Sequence, residues 1–284
     1  MKILVTGAKG MLGTDLVPVL EGEGHQVTAT DIDELDITVS DQIMDAAKKT
    51  EPDIIINCAA YTDVDKAEEE PHRAFWVNEK GTENIVLTCR ELGIDLCYLS
   101  TDYVFNGEKK APYLPDDKPD PVNAYGASKL AGENAIRKIW DRYYIVRTSW
   151  LYGKNGKNFV NTIMDLAKKQ GEIKVVDDQI GSPTWTVSLA RVLSKIIETG
   201  EYGMYHVTDE TDGGISRFRF AGEIVRLAHL DCRLLPVKSS DFLRPAKRPK
   251  NSVLDLTEAK KATGKEFYSW EKPLKEFFSQ IDSS

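Results

Sequence analysis

Continuous apolar runs at 2–6, 26–30, 53–58, 95–99 and 144–147 lack the period-two alternation of half-exposed strands, and so predict strands covered on both faces. Helix-patterned stretches lie between them. Leu12, Leu16, Val19 and Leu20 recur at helical spacing, and the segments 40–49 and 72–92 continue the theme. Strand and helix alternating in this way imply a parallel sheet with helices on both sides. Right-handed crossovers then leave a ligand crevice at the carboxyl ends of the strands. Pro18 is a misfit and predicts a kink in the first helix.

Beyond Gly153 the pattern loosens. It predicts a helix over 158–169, a strand near 173–176, a helix over 187–198 and a last helical stretch ending in Phe277 and Phe278. The fold class is therefore α/β: a doubly wound parallel sheet over 1–151, then a smaller C-terminal α/β substrate lobe over 152–284. Within that lobe, about 185–205 is expected to pack back on the first part. At 284 residues, 41% hydrophobic and 29% charged, the chain can bury a sizeable core, which excludes a disordered protein.

A formal net charge of −8 argues against nucleic acid as a partner, because no face-wide basic excess exists to release counterions. An anionic small molecule would need local positive groups. The run Arg244, Lys247, Arg248 and Lys250 could supply them, although such a run reads first as a solvated loop. The four cysteines include no CxxC pair; Cys58 and Cys97 sit in strand-like runs and read as reduced core thiols. The four histidines suggest no metal cluster. Met1 leads straight into a strand, with no basic leader and no apolar run long enough for a bilayer, so the expected location is cytoplasmic with no membrane partner.

Gly7, Gly10 and Gly13 form GxxGxxG immediately after the first strand and at the start of a helix. There bare backbone can approach a pyrophosphate and helix amides can bind it, so the context points to a Rossmann-type dinucleotide site. Asp31 follows the second strand, where a carboxylate accepts hydrogen bonds from the adenosine ribose and repels a 2′-phosphate. That favours NADH. Lys9, inside the loop, would instead meet a 2′-phosphate, so NADPH or NADH both stay open.

Tyr125 and Lys129 stand four residues apart, hence on one face of a helix that continues through Ile136, Ile139 and Trp140. A phenol is a poor proton donor until a nearby ammonium and an oxidised nicotinamide stabilise its phenolate. Tyr125 is then the general acid toward a carbonyl oxygen and Lys129 its electrostatic partner, which also holds the nicotinamide ribose. Thr101, at the end of the strand reading Tyr98-Leu-Ser-Thr, would hydrogen-bond the same oxygen. YxxxK alone arises by chance in many proteins; the glycine loop and the strand-end hydroxyl give it weight.

Together these residues resemble the extended short-chain dehydrogenase/reductases and, more narrowly, the dTDP-4-dehydrorhamnose reductases. The resemblance rests on Thr6-Gly-Ala-Lys-Gly-Met-Leu-Gly13, Asn57-Cys-Ala-Ala-Tyr-Thr-Asp-Val-Asp65, Ser100-Thr-Asp-Tyr-Val-Phe105, Arg147-Thr-Ser-Trp150, Asp178-Gln-Ile-Gly-Ser-Pro-Thr184 and Arg248-Pro-Lys-Asn-Ser252. It spans nearly the whole chain. It implies NAD(P)H-dependent reduction of the C4 ketone of a dTDP-linked 4-keto-6-deoxy sugar, dTDP-4-dehydro-L-rhamnose, to dTDP-L-rhamnose. By position it implies Thr101, Tyr125 and Lys129 as the catalytic set. Gly10, Met11 and Leu12 would cover the pyrophosphate, Ala59, Ala60 and Tyr61 line the cofactor, and Asp36 with Ile37 approach its adenine end. Val64, Asp102 and Trp150 would frame the sugar. Some relatives form a homodimer through a Mg²⁺ bridge; Asp15 would suit one ligand, but Val187 holds the matching position, so no metal site is carried over.

Two rivals remain at this level. Sugar-nucleotide 4,6-dehydratases of the same superfamily follow the strand-end Thr with Asp-Glu, whereas here Thr101 precedes Asp102 and Tyr103. Without that glutamate the proton shuttle for elimination is missing, which favours carbonyl reduction over dehydration or epimerisation. A non-catalytic, dinucleotide-binding regulatory subunit would keep the fold but be free to lose Thr101, Tyr125 or Lys129.

Overall fold

Six parallel strands form the central sheet of the protein, a computed structural model that describes residues 1–264 and 267–282. The first half runs β1 (Lys2–Thr6), α1 (Gly13–Gly22), β2 (Gln26–Thr30), α2 (Ser40–Thr50), β3 (Ile54–Asn57), α3 (Lys66–Glu69), α4 (Pro71–Phe75), a π-helical turn (Trp76–Gly81), α5 (Thr82–Leu92), β4 (Asp95–Thr101), α6 (Ala124–Ile139) and β5 (Tyr143–Thr148). The second half continues with β6 (Leu151–Tyr152), α7 (Phe159–Lys169), β7 (Glu172–Val176), β8 (Ile180–Gly181), β9 (Thr184–Trp185), α8 (Thr186–Ile196), β10 (Gly203–His206), β11 (Ile215–Ser216), α9 (Arg217–Leu227), β12 (Arg233–Val237), α10 (Thr257–Thr263) and α11 (Glu271–Asp282).

Strand order across the sheet is β10, β5, β4, β3, β1, β2. The chain therefore moves one way from β1 to β2 and the other way from β1 to β3. This reversal opens a crevice above the carboxyl ends of β1 and β3. Both faces of the sheet are covered, as the unbroken apolar runs require. Ile3, Val5, Ile54, Ile56, Cys97 and Val146 pack with Leu16 and Leu20 of α1 and Leu189 and Leu193 of α8. On the opposite face, Leu4, Ile55, Leu96, Tyr98 and Ile145 pack with Ile43 of α2, Ile85 and Val86 of α5 and Ile136 of α6. Each aliphatic side chain buried this way contributes about 1.5–3 kcal/mol. A further apolar core joins α7, α9 and α11 through Val160, Ile163, Phe220, Ile224, Leu274 and Phe277.

The structure adjusts several sequence expectations. The stretch 72–92 is not one helix but α4, the π turn and α5. The wider turn carries the amide of Asn78 into the interior, where it is fully hydrogen-bonded. Pro18, read as a kink in the first helix, stands inside α1, which runs on through it to Gly22. The proline is exposed, so the carbonyl it leaves without a donor lies toward water. The sheet gains a sixth strand, β10, paired to β5 through Gly203–His206; only Tyr205 and His206 of its residues are buried, too short a run to read as a strand. The last helix continues beyond Phe278 to Asp282. All four cysteines are free thiols, and among the described residues no helix is long and apolar enough to cross a membrane.

Candidate active site

The glycine loop closes the crevice from the β1 side. Gly7 has φ +69° and lies so near the chain after β3 that a Cβ would stand 2.6 Å from the Ala59 amide nitrogen. A Cβ on Gly13 would lie 2.5 Å from the Gly7 carbonyl oxygen. Both positions demand glycine, and the result is a bare backbone cradle ahead of α1. No side chain caps α1 at Leu12; the Thr14 and Asp15 amides donate to the Gly10 and Leu12 carbonyls, which leaves the Met11 and Leu12 amides just ahead of the helix to an anion such as a pyrophosphate. Gly7, Gly10, Met11, Leu12 and Gly13 thus form one wall with Ala59 opposite, and the set fits a dinucleotide.

Asp31 shapes the same loop. Its Oδ2 accepts the Lys9 amide at 2.8 Å and its Oδ1 the Ile32 amide at 2.8 Å. The Lys9 ammonium pairs with Asp33 at 3.2 Å and Glu34 at 2.8 Å. At the far end, Asp36 Oδ1 accepts the amide and hydroxyl of Thr38, while Ile37 is buried in the core and its carbonyl accepts from Asn84. Tyr61 turns its phenol toward Glu70 at 3.3 Å; its backbone, rather than its ring, is what the site fixes. Asn78 does this, accepting the Tyr61 amide at 2.8 Å and donating to the Tyr61 carbonyl at 3.0 Å and to Ser128 Oγ at 2.9 Å. Ser128 donates in turn to the Tyr125 carbonyl at 2.8 Å. One buried amide therefore ties the loop after β3 to the first turn of α6.

Asn123 begins that helix, accepting the Gly126 amide at 2.8 Å as an N-cap does. The cap presents Tyr125 beside the end of β4, near enough for the Thr101 hydroxyl to draw its phenol down. Thr101 Oγ1 also donates to Asp102 Oδ1 at 3.0 Å and accepts the Tyr103 amide at 3.2 Å. The Tyr103 ring stands edge-on to Tyr125, centroids 5.9 Å apart. Asp102 is buried with Oδ2 unpartnered, and burial pushes its carboxyl up to about 6 against the pull of Ser252 and Thr101.

Lys129 lies one turn further along α6, buried, with Nζ 4.1 Å from the centre of the Tyr98 ring. Burial pushes it down to about 7, opposed by Glu133 and Cys58. The sequence suggested that this ammonium would pull the Tyr125 phenol down. In the protein alone burial pushes the phenol up, Asp102 and Tyr103 add to the rise, and Thr101 opposes it. A phenolate that loses its water is penalised more than the hydroxyl hydrogen bond returns. The phenol is accordingly held protonated.

Trp150 follows β5 with φ +46°, a strained conformation for a bulky residue. Its indole receives the Arg217 guanidinium at 3.6 Å, and Arg217 in turn feels the charges of Asp102 and Tyr103. Trp150 and Asp102 therefore face one cleft. Val64 sits half-buried beside Asp65, which is clamped to Arg248 at 2.5 Å. The basic run is thus only partly solvated: Arg248 and Arg244 both reach Asp65. Sequence reasoning missed Asn78, Tyr103 and Arg217. Ser216, which caps α9, was the one local signal that could have marked the helix start carrying Arg217. Among the described residues no group of three or more His, Cys, Asp or Glu could hold a metal; Asp15 accepts a hydrogen bond from Thr186.

Under the same strand ends lies a second polar cluster. Arg147 meets Glu133 through Nη2 at 2.6 Å and Nε at 2.9 Å, and Ser100 Oγ donates to Glu133 at 2.5 Å. Arg147 also donates to the Pro115 carbonyl at 3.1 Å and lies 3.4 Å from His206 Nε2.

A parallel sheet with a glycine cradle at its switch point, and a Thr, Tyr and Lys set at the next strand end, defines an extended short-chain dehydrogenase/reductase. Residues 1–283 match the family model described as the RmlD substrate binding domain, and the chain belongs to that family. A dTDP-4-dehydrorhamnose reductase from Streptomyces griseus is 42% identical over 98% of this chain and 93% of its own. Among solved structures, a dTDP-4-dehydrorhamnose reductase from Clostridium acetobutylicum superposes with TM-score 0.96 at 42% identity, covering 99% of this chain and 100% of the other. One from Bacillus anthracis, solved in complex with NADP, gives TM-score 0.95 at 41% identity over 98% and 99%.

Proposed function

We propose that this protein reduces the C4 ketone of dTDP-4-dehydro-L-rhamnose to dTDP-L-rhamnose with NADPH or NADH, Tyr125 serving as general acid. The observation that carries the reading is the placement of Tyr125, one turn before the buried Lys129 on α6, beside Thr101 at the end of β4. Relatives at about two-fifths identity bear the name of this activity, and NADP in the Bacillus anthracis relative supports NADPH.

The bound dinucleotide supplies the hydride. The chain supplies position and the proton. Gly7, Gly10, Met11, Leu12 and Gly13 hold the pyrophosphate, Ala59, Ala60 and Tyr61 border the nicotinamide half, and Asp31, Asp36 and Ile37 border the adenosine half. Lys129 holds the nicotinamide ribose. Thr101 hydrogen-bonds the substrate oxygen and Tyr125 passes its proton to it, so no alkoxide is left unpaired in a dry cleft. Val64, Asp102 and Trp150 frame the sugar, and the cationic Arg217, Arg244 and Arg248 offset the substrate diphosphate on an otherwise acidic chain. The core around α7, α9 and α11 forms the substrate lobe, with 1–151 and about 185–205 forming the dinucleotide part. A soluble cytoplasmic enzyme is the setting this reading requires.

Purified protein incubated with dTDP-4-dehydro-L-rhamnose or a UDP-linked ketose, and NADPH or NADH, tests this directly. Stoichiometric dinucleotide oxidation with the dTDP-sugar is expected. Product formed without net oxidation would turn the reading to a dehydratase or epimerase.

A further inference from the structure

Three arginines stand near the cleft, and they differ in what already occupies them. Arg248 has its fork on Asp65, Nη1 on Oδ1 at 2.5 Å and Nη2 on Oδ2 at 2.9 Å, and Arg244 reaches the same carboxylate at 3.4 Å. Arg217 is different. Among the described residues no carboxylate, carbonyl or hydroxyl accepts its side-chain N–H groups. Its partners are two rings: the guanidinium carbon lies 3.6 Å from the centre of Trp150 and 4.8 Å from that of Phe159.

The backbone fixes this arrangement. β11 pairs antiparallel with β8, Ile215 opposite Gly181 and Ser216 opposite Ile180, and the Arg217 amide donates to the Gln179 carbonyl at 3.2 Å. Ser216 then caps α9 by accepting the Arg219 amide at 3.0 Å, so Arg217 opens that helix close to Gly181. The indole it meets is held against the same strand, because a Cβ on Gly181 would stand 2.5 Å from Trp150 Cε2. Trp150 in turn closely follows Thr148, which pairs with Thr101 across the sheet. Arg217 therefore belongs to the wall beside the strand end that carries Thr101.

A separation of 3.6 Å is that of two planes in van der Waals contact, so the guanidinium lies flat on the indole. Its N–H groups lie in its own plane and point out from the edge of the stack. Arg217 is half-buried, and burial pushes it down only to about 10, so it is a cation at neutral pH. An ionised donor drawn out of water without a partner is costly, and a planar fork is matched by paired anionic oxygens. In a sugar nucleotide the diphosphate on C1 stands across the pyranose ring from the C4 ketone. It must lie beside the Thr101 and Tyr125 end of the cleft, not at it.

We propose that Arg217 is a substrate-binding residue whose guanidinium, stacked on Trp150, takes the diphosphate of the sugar nucleotide through two of its N–H groups. This rests on the cleft being a sugar-nucleotide site and names the residue that touches the anion there, while Asp65 holds Arg244 and Arg248.

Calorimetric titration of dTDP into protein saturated with NADP⁺ tests this without relying on turnover. Arg217→Gln should weaken dTDP binding by roughly 10- to 100-fold, the size of a lost charge-assisted hydrogen bond, with Tm unchanged. Added salt should weaken dTDP binding more steeply in wild type than in Arg217→Gln, because the lost contact is between charges. Arg217→Lys should recover part of the affinity, since an ammonium keeps the charge but not the fork. A dTDP affinity of Arg217→Gln within about twofold of wild type, inside the scatter of additive effects, overturns the assignment. So does a loss of affinity with an unchanged salt slope, which would mark Arg217 as packing for Trp150. If wild type binds dTDP yet leaves NADPH unoxidised with the dTDP-ketose, the reduction reading fails alone and these titrations still decide for Arg217. If wild type binds no dTDP, the sugar-nucleotide reading fails, and inorganic pyrophosphate becomes the probe: binding lost in Arg217→Gln sustains the anion site, and equal or absent binding by both proteins sinks it.

Discussion

Two buried polar clusters share the ends of β4 and α6, and they differ in what their atoms lack. Ser100 and Thr101 are neighbours on one strand; Lys129 and Glu133 are one turn apart on one helix. Ser100 and Glu133 belong to the frame, where a bidentate ion pair, a hydroxyl, a carbonyl and an imidazole satisfy one another. Thr101 and Lys129 belong to the cleft, where Asp102 keeps an oxygen without a partner and burial displaces a phenol, a carboxyl and an ammonium at once. A completed network holds backbone elements in place. An incomplete one awaits a ligand.

That contrast breaks most visibly when each cluster loses a member. Glu133→Ala leaves the Arg147 guanidinium charged and buried, so stability should fall by about 3–5 kcal/mol in urea unfolding. A loss under about 1 kcal/mol, the range of an exposed pair, would mean the frame is not what holds β4 to α6.

The two clusters should also respond to pH with opposite sign. Asp102 has its folded pKa raised to about 6 from an ordinary 3.8, so the folded state binds the extra proton. Relative to Asp102→Asn, wild type should keep its full stability below about pH 4 and lose roughly 3 kcal/mol as pH rises through 6. His206 is pushed down to about 3 by burial and by Arg147, so the unfolded state binds that proton. Relative to His206→Gln, wild type should hold its stability above pH 6.5 and lose it as pH falls toward 3. Denaturant midpoints across this range check both; parallel slopes would erase the distinction between cleft and frame.

The smallest effect is expected at the cofactor end. Asp31→Ala should narrow the preference between NADH and NADPH by roughly tenfold or less, measured as the ratio of kcat/KM values. An unchanged ratio would assign Asp31 solely to the loop amides of Lys9 and Ile32.

The sequence displayed the parts that depend on periodicity and on backbone chemistry. Both-face burial made β1, β3 and β4 plain as apolar runs, and the glycine cradle was legible because no other residue fits where Gly7 and Gly13 approach the neighbouring chain. Long-range polar pairing was not legible. Asn78 looked like an ordinary helix residue until the π turn carried it inward, and Arg248 looked like part of a solvated run because its partner, Asp65, lies far off in the chain. Tyr125 and Lys129 were readable as a pair, yet the direction of the phenol shift was not, since it depends on burial at a strand end rather than on spacing.

The central claim is that Tyr125 gives the proton to a ketone oxygen. Single-turnover reduction of dTDP-4-dehydro-L-rhamnose by Tyr125→Phe, with NADPH binding measured alongside, tests it most directly. The account predicts dinucleotide affinity close to wild type and a reduction rate lower by roughly 10² or more. A variant that reduces the sugar at the wild-type rate would contradict it.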